Sequence, residues 1–178
     1  AVRFSAFLFA FYAHAGTFST YASLFYAARG MSVPQIGVLV SLNQILRIFG
    51  PNLWGWVADR APRRVTVLRA TCAGAVLATC GLFFADSFLE FFFVLSLLNL
   101  CTSAQAPLAE ALMIAEMRGD LSRYGRIRLW GSLGFIVAVM ASGYALDWWS
   151  VAALPWLAGA VLLAVLAASC AIAERDRE

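Results

Sequence analysis

Long apolar runs alternate with short polar segments along the whole chain. Each run is about 20 residues or longer, the length that a helix needs to cross the hydrocarbon core of a bilayer. Because the polar segments are short, consecutive helices must run antiparallel. We therefore predict an all-α membrane protein with six transmembrane helices, at approximately Phe4–Ala28, Pro34–Ala58, Val65–Ala85, Phe88–Met117, Tyr124–Leu146 and Val151–Ala173.

The polar segments contain residues that favour turns and helix starts. Ser32 is placed to cap the second helix, and Asp86-Ser87 provides a turn and a cap before the fourth. Serine and aspartate side chains accept hydrogen bonds from the free N–H groups of a first helical turn. We predict that Arg118-Gly119-Asp120-Leu121-Ser122 forms the connection between the fourth and fifth helices.

The composition supports a membrane location. Hydrophobic residues make up 62% of the 178 residues and charged residues 13%. A soluble domain is usually about 45–50% apolar and about 25% charged. A soluble core of this size could not bury so much apolar surface, so a lipid bilayer is the expected surrounding.

The basic residues predict the orientation. The net charge of +3 is due to arginine, since the chain has no lysine. The arginines lie between apolar runs and not on one polar face, which argues against a nucleic-acid partner. Only Arg29 falls on one side of the predicted bundle. The other side holds Arg3, Arg60, Arg63, Arg64, Arg69, Arg118, Arg123, Arg126, Arg175 and Arg177. By the positive-inside rule that side is cytoplasmic, so both termini are expected in the cytoplasm of a cell-membrane protein.

The sequence does not favour an enzyme or a metal site. Cys72, Cys80, Cys101 and Cys170 all lie in apolar runs without a CxxC pair, which is typical of packing residues. Gly131-Ser132-Leu133-Gly134 places its serine wrongly for an intramembrane serine protease. We therefore expect no enzymatic activity, no cofactor and no bound metal.

Arg47 lies near the middle of the second helix, where an arginine costs at least about 2.5–3.5 kcal/mol on insertion. Asn43, Arg47, Gly50 and Trp54 share one face because they recur at steps of three or four residues. Either this face lines a solute pathway and Arg47 holds an anion or an acidic side chain, or Arg47 belongs to a structural ion pair. Pro51, one turn later, is expected to kink the helix.

Glu110 and Arg128 are the second deep polar feature. Each lies nine residues from Gly119, so in an antiparallel hairpin both have similar depth and could form an ion pair. Asn99, Ser103 and Glu110 share a face of the fourth helix, and a polar stripe therefore leads to the pair. The pair is interpreted either as a substrate or proton site, or as a structural salt bridge.

His14 is the only histidine and lies in the first helix. A lone histidine at membrane depth could relay protons near neutral pH. It could equally be a hydrogen-bonded packing residue, and the sequence leaves both interpretations open.

The segment between the second and third helices resembles a known signature. Gly55-Trp56-Val57-Ala58-Asp59-Arg60-Ala61-Pro62-Arg63-Arg64 is similar to the GxxxDRxGRR motif of the major facilitator superfamily, with Pro62 in place of the second glycine. The resemblance implies that Gly55, Asp59, Arg60, Arg63 and Arg64 form a loop that gates alternating access.

A second segment narrows the resemblance. Pro107-Leu108-Ala109-Glu110, followed by Tyr124-Gly125-Arg126-Ile127-Arg128-Leu129-Trp130-Gly131, is similar to the hairpin of helices four and five in lactose permease-like and phenylpropionate permease-like proton symporters. The resemblance implies substrate binding by Glu110 and Arg128, with Phe135 in place of the aromatic residue that stacks on a sugar ring. Substrate contacts are also expected from Arg47, Asn43 and Asn99, and proton coupling from Glu110 and His14.

The resemblance covers the chain as the N-terminal half of a twelve-helix transporter. Residues 1–178 would form one six-helix domain of two inverted three-helix repeats, about 1–85 and 86–178, with the C-terminal six-helix half absent. The fifth helix lacks the GPxxGG pattern of the antiporters in this superfamily, which favours symport.

We therefore expect a proton-coupled symporter of a small organic solute, because Arg47 and Arg128 against Glu110 leave an excess of positive charge that a carboxylate such as an aromatic acid would balance. A sugar or nucleoside symporter is the alternative. A non-transporting six-helix bundle, or a homodimer that replaces the missing half, is an alternative of another class.

Overall fold

The computed structural model describes residues 2–117 and 122–173, and these residues form a helical bundle. The α-helices are α1 (Val2–Ala28), α2 (Val33–Arg60), α3 (Arg64–Gly81), α4 (Phe88–Met117), α5 (Ser122–Trp149) and α6 (Leu154–Ala171), with a single 3₁₀ turn at Val151–Ala153. The prediction of an all-α membrane protein is confirmed. Of the predicted connection at 118–122, residues 118–121 lie outside the described residues, as do Arg175 and Arg177, and Ser122 is the first residue of α5.

Four of these helical segments are long and apolar enough to cross a membrane: Val33–Arg60, Phe88–Met117, Arg123–Trp149 and Val151–Ala171. Helices α1 and α3 are less apolar, because α1 contains His14 and several hydroxyl side chains and α3 contains two arginines and three threonines. Both pack along the apolar helices of the bundle. α1 packs against α5 and α6, whereas α3 packs against α4 and α6. We therefore interpret all six as membrane-embedded.

Most helix boundaries differ from the prediction by one to four residues, and the end of α3 and the start of α6 show the physical reasons. α3 ends at Gly81 and not at Ala85, because the chain turns there and the N–H groups of Phe84 and Ala85 donate to the carbonyl of Gly81. Glycine fits this point since a Cβ at Gly81 would lie 2.8 Å from the side chain of Val94. α6 begins as an α-helix at Leu154 and not at Val151, with a proline in its first turn, where the missing N–H does no harm.

The predicted caps occupy the helix starts. The Ser87 side chain accepts a hydrogen bond from the N–H of Glu90, and the Glu90 carboxylate accepts from the N–H of Ser87. This reciprocal pair is a capping box. Before α2, the N–H of Ser32 donates to the Gln35 side chain.

The packing relates the first three helices to the last three. α1 packs mainly against α5 and α6, and α4 packs mainly against α2 and α3, so exchange of the two units maps one set of contacts onto the other. Each unit contains three antiparallel helices, which inverts the second unit relative to the first. The exact unit boundary near residue 85 stays a prediction.

Two arginine side chains connect the ends of different helices through hydrogen bonds to main-chain carbonyls. At one end of the bundle, the Arg29 guanidinium donates to the carbonyl of Ala85 at 2.6 Å and lies 3.3 Å from the Asp86 carboxylate. At the other end, Arg69 of α3 donates to the carbonyls of Cys170 and Ile172 at 3.0 and 2.8 Å. Cations at helix C-termini satisfy carbonyls that have no partner inside the helix.

Candidate functional site

A cavity of about 740 Å³ lies among α1, α2, α4 and α5. Ligand sites for small molecules usually measure about 300–1,000 Å³. The cavity brings together all the residues for which the sequence predicts substrate or proton contacts: His14, Asn43, Arg47, Asn99, Glu110, Arg128 and Phe135. Their shared location does not by itself assign their roles, which stay predictions.

Glu110 of α4 and Arg128 of α5 form the ion pair that their similar depth in an antiparallel hairpin predicts. The side chains are 25% and 44% exposed, so the pair faces the cavity and is not enclosed in the protein core. The Arg128 guanidinium also lies 5.9 Å from the centre of the Tyr12 ring, which contributes a cation–π contact. The two charges are therefore held by helices on different walls of the same space.

Arg47 differs from Arg128 in its partners. It projects from α2 into the same cavity and is exposed there. Within the described residues, no acidic side chain forms an ion pair with its guanidinium. Of the two interpretations from the sequence, a structural ion pair therefore finds no support among these residues.

Polar side chains continue along the two helices that carry Arg47 and Glu110. Asn43 lies one turn before Arg47 on α2, and Asn99 and Ser103 precede Glu110 on α4. The helices approach closely, since a Cβ at Gly50 would lie 1.9 Å from Ser103 Oγ. Trp54 does not line the cavity and donates from Nε1 to the carbonyl of Leu100 at 2.8 Å, which fixes α2 against α4.

His14 is 6% exposed and its ring stacks on Phe18 with 5.8 Å between ring centres. Nδ1 is buried and has no hydrogen-bond partner. An unpaired nitrogen of this kind is uncommon, because buried polar atoms are nearly always hydrogen-bonded. The ring also borders the cavity, so the interpretation as a hydrogen-bonded packing residue does not hold for Nδ1.

Aromatic side chains form much of the remaining wall. Phe11, Tyr12 and Phe18 contribute from α1, and Phe135 from α5. Tyr12, which sequence reasoning missed, meets Phe11 edge to face at 5.2 Å. Gly131 makes room for the Tyr12 ring, which an added Cβ would approach to 2.6 Å. The wall offers flat apolar surface to an aromatic or sugar ring.

A close joint between α1 and α5 positions this wall. A Cβ at Gly134 would lie 2.2 Å from the carbonyl oxygen of Phe9, and one at Gly16 would lie 2.7 Å from the carbonyl oxygen of Phe135. Thr17 and Ser142 share a buried hydrogen bond of 2.9 Å across the same joint. Small residues let helix backbones approach in a membrane, and hydroxyl pairs add to the contact.

The predicted gating residues do not all lie in a loop, because α2 continues to Arg60: Gly55, Asp59 and Arg60 belong to the last turns of α2, Arg63 precedes α3, and Arg64 is its first residue. Arg64 pairs with Asp59 at 2.8 Å. Arg60 lies 3.9 Å above the Trp56 ring. Gly55 has open space where a Cβ would be, with no atom within 4 Å. Arg63 is exposed and also takes part in an interaction. These residues do not line the cavity, and their gating role stays a prediction.

Comparisons with known proteins agree with this architecture. The model of the MFS_1 like family matches residues 1–177. The maltose permease of Geobacillus stearothermophilus is 36% identical over 117 residues, which are 66% of this chain and 30% of that protein. The probable 3-phenylpropionic acid transporter of Escherichia coli (strain K12) is 29% identical over 141 residues, 76% of this chain and 36% of that protein.

A third relative is the uncharacterized transporter YwbF of Bacillus subtilis (strain 168), 33% identical over 115 residues, 64% of this chain and 28% of that protein. The chain thus matches about a third of the length of each of these relatives. The family match, in contrast, extends over nearly the whole chain. The chain is therefore a multi-pass membrane protein that belongs to the MFS_1 like family of the major facilitator superfamily.

Proposed function

We propose that the gene product containing this chain is a proton-coupled symporter of a small organic carboxylate such as an aromatic acid. One observation carries the proposal: Arg47 has no acidic partner among the described residues, in the same cavity where Glu110 already neutralises Arg128. An arginine at membrane depth needs a counter-charge or a wet cavity. A substrate carboxylate would supply that charge through strong, charge-assisted hydrogen bonds.

The aromatic wall supports a ring on the substrate. Phe11, Tyr12 and Phe135 border the cavity that Arg47 enters. Offset or edge-to-face contacts between aromatic rings contribute about 0.5–1.5 kcal/mol beyond the area that they bury. A phenyl ring joined to a carboxylate by a short linker would use both features. The resemblance to a probable 3-phenylpropionic acid transporter fits this class of substrate.

The charges also suggest how a proton would be coupled. Glu110 is the one acid among the described residues that line the cavity. When it takes up a proton, the ion pair with Arg128 is lost, and Arg47 and Arg128 both face the cavity as unpaired cations. Proton binding then favours an anion, and by linkage the anion favours the proton. His14, with its unpaired Nδ1, is proposed as a second group on the proton pathway.

A sugar or nucleoside is the alternative substrate. Glu110, Arg128 and Phe135 border one cavity in the combination that the resemblance to sugar permeases implies. The maltose permease among the relatives favours this alternative. A neutral solute, however, would leave the charge of Arg47 uncompensated.

Uptake into membrane vesicles that contain the complete gene product tests the proposal. Radiolabelled 3-phenylpropionate, maltose and uridine are compared with and without an imposed proton gradient, acid outside. We expect 3-phenylpropionate alone to accumulate, and its accumulation to collapse with a protonophore. Accumulation of maltose or uridine would support the alternative, whereas accumulation that ignores the gradient would contradict symport.

The second wall of the pathway is also a proposal. Either a C-terminal six-helix half or a second copy of this chain would complete it, and a bundle without either would be a non-transporting membrane protein. Light scattering of the chain in detergent separates these cases, because a homodimer doubles the protein mass of the particle. A strictly monomeric particle without uptake would favour a separate second half or the non-transporting bundle.

A further inference from the structure

Two prolines interrupt the hydrogen bonding of the helices that border the cavity. Pro51 lies inside α2 and Pro107 inside α4, and both line the cavity. Proline has no N–H, so the carbonyl four residues earlier cannot receive its usual helix hydrogen bond. Those carbonyls belong to Arg47 and Ser103, which line the cavity as well. Because residues four apart share a helix face, each released carbonyl lies on the face toward the cavity.

The two released carbonyls are neighbours with the same orientation. α2 and α4 are in contact where Gly50 meets Ser103, and Arg47 lies about one helical turn from that point. α3 lies between them in the chain and runs antiparallel to both, because both connections are short. α2 and α4 therefore run in the same direction. Helix carbonyls point toward the C-terminus, and both oxygens therefore point toward the same end of the cavity.

The chemistry of the surroundings decides what these oxygens would bind. A carbonyl oxygen accepts hydrogen bonds, and leaving one unmade in a water-poor site is costly. The guanidinium of Arg47 disfavours a metal cation or an ammonium group close to its own carbonyl. An uncharged donor is the remaining class, and a hydroxyl group is its simplest member.

We propose that the carbonyl oxygens of Arg47 and Ser103 accept hydrogen bonds from hydroxyl groups of the transported carboxylate, so that the substrate class is a hydroxylated organic acid. This inference rests on the proposed function, since Arg47 has to hold the carboxylate. The Arg47 side chain binds the carboxylate, and the main-chain carbonyls of α2 and α4 accept hydrogen bonds from the hydroxyl groups.

The first test compares acids that differ only in hydroxyl groups. Uptake of 3-phenylpropionate is measured in vesicles beside its mono- and dihydroxyphenyl analogues. A single hydrogen bond favours binding by about threefold to tenfold, so we expect the KM to fall by that factor for each hydroxyl that reaches a carbonyl. Equal KM values would overturn the inference, because water would then satisfy both carbonyls, while gradient-driven uptake of all the acids would leave the proposed function intact. Absence of uptake for every acid would contradict both.

Substitution of the two prolines tests whether main-chain carbonyls cause a preference for the hydroxylated acids. Pro51→Ala and Pro107→Ala each supply the missing N–H, which re-forms the helix hydrogen bond and occupies the carbonyl. We expect the KM ratio between 3-phenylpropionate and its hydroxylated analogues to fall toward one in each variant. Pro34→Ala and Pro155→Ala change prolines in the first turns of α2 and α6, away from the cavity, and should keep the ratio of the unmodified protein.

If Pro51→Ala and Pro107→Ala still transport and both keep the KM ratio of the unmodified protein, the inference is overturned. Asn43 and Asn99, the other polar groups on these faces, would then be the source of the preference. If neither variant reaches the membrane, the KM ratio of the unmodified protein decides: a lower KM for the hydroxylated acids supports the inference and equal values overturn it.

Discussion

At the scale of single residues, three ionisable side chains on three helices give the cavity its charge: Arg47 on α2, Glu110 on α4 and Arg128 on α5. Arg128 is neutralised by Glu110, and Arg47 has no ion-pair partner within the part of the chain that the structure describes. Exposed ion pairs contribute little to stability, about 0–1 kcal/mol, and this pair faces the cavity. A pair that contributes so little to holding α4 against α5 fits the change of charge that we propose for function.

Arg47→Ala should weaken carboxylate binding without loss of the fold. A hydrogen bond to a charged group contributes about 1.5–3 kcal/mol, so we expect the KM for 3-phenylpropionate to rise by about tenfold to a hundredfold. Arg47→Lys keeps the positive charge but loses the planar guanidinium, so its KM should lie between those of the unmodified protein and Arg47→Ala. The matched control is Arg126→Ala, an exposed arginine outside the cavity, which should keep the normal KM. Similar KM values for all these variants would remove Arg47 from the binding site.

Glu110→Gln separates binding from coupling. Glutamine resembles the protonated carboxyl group, so Arg128 stays unpaired at every pH. We expect the variant to bind 3-phenylpropionate with an affinity that no longer falls as the pH rises, and to lose accumulation driven by a proton gradient. Equilibrium binding to purified protein over a pH series, together with vesicle uptake, provides the measurement. Normal accumulation by Glu110→Gln would return the pair to a structural role.

The sequence could predict the cavity residues on α2 and α4 because ionisable and amide side chains are rare inside apolar helices. Asn43, Arg47, Asn99 and Glu110 were found by that contrast alone. Tyr12 was not, since α1 carries aromatic residues on several faces and their spacing does not distinguish the cavity side. Tyr12 is identified as a cavity residue by its place in the lining and by the 5.9 Å contact of its ring with the Arg128 guanidinium, and that contact is not local in sequence.

At the scale of helices, glycine contacts determine how closely α5 approaches α1. Gly134 lies against the main chain of Phe9, which cannot move aside as a flexible side chain could. Gly50 has the corresponding place on α2, against Ser103 of α4. Both joints involve helices that border the cavity, so the width of the site depends on them. The sequence shows small residues on α5 but does not identify which helix they contact.

Gly134→Ala should therefore destabilise the bundle, although alanine favours helices. Overpacking of a close contact costs typically about 1–3 kcal/mol, and the added Cβ would overlap the carbonyl of Phe9. Gly125→Ala is the matched control on the same helix, since no atom lies within 4 Å of its added Cβ. Gly125→Ala should be neutral or stabilise by up to about 1 kcal/mol. Thermal unfolding in detergent, followed by tryptophan fluorescence, measures both, and equal melting temperatures would refute the close joint.

Helix ends were the least predictable part of the fold. The apolar run of α3 continues to Ala85, and hydrophobicity alone places the end there. The chain instead turns at Gly81, which brings the carbonyl of Ala85 to the Arg29 guanidinium. That contact joins residues 56 positions apart, so no local pattern could reveal it.

For the whole molecule, the arginines divide the bundle into two unlike ends. Arg60 ends α2, Arg64 begins α3 and Arg63 lies between them, and Arg3 pairs with Glu116 at the same end. The opposite end has Arg29, which Ala85 and Asp86 engage. Short loops rich in arginine are retained on the cytoplasmic side of a membrane. The distribution of arginines could be predicted from the sequence because the helices are antiparallel and their connections short, and the orientation that it favours stays a prediction.

Labelling of single cysteines in intact cells tests that orientation. In a background with Cys72, Cys80, Cys101 and Cys170 changed to alanine, Asp86→Cys and Pro62→Cys place one thiol at each end of the bundle, both at exposed positions. We expect a membrane-impermeant maleimide to label Asp86→Cys in intact cells and Pro62→Cys only after the membrane is opened. Transport by the background protein serves as the check on its fold. The reverse labelling would place the connection between α2 and α3, residues 61–63, outside the cell. Since the proton gradient acts from outside to inside, it would also reverse the direction of entry that we propose for the substrate.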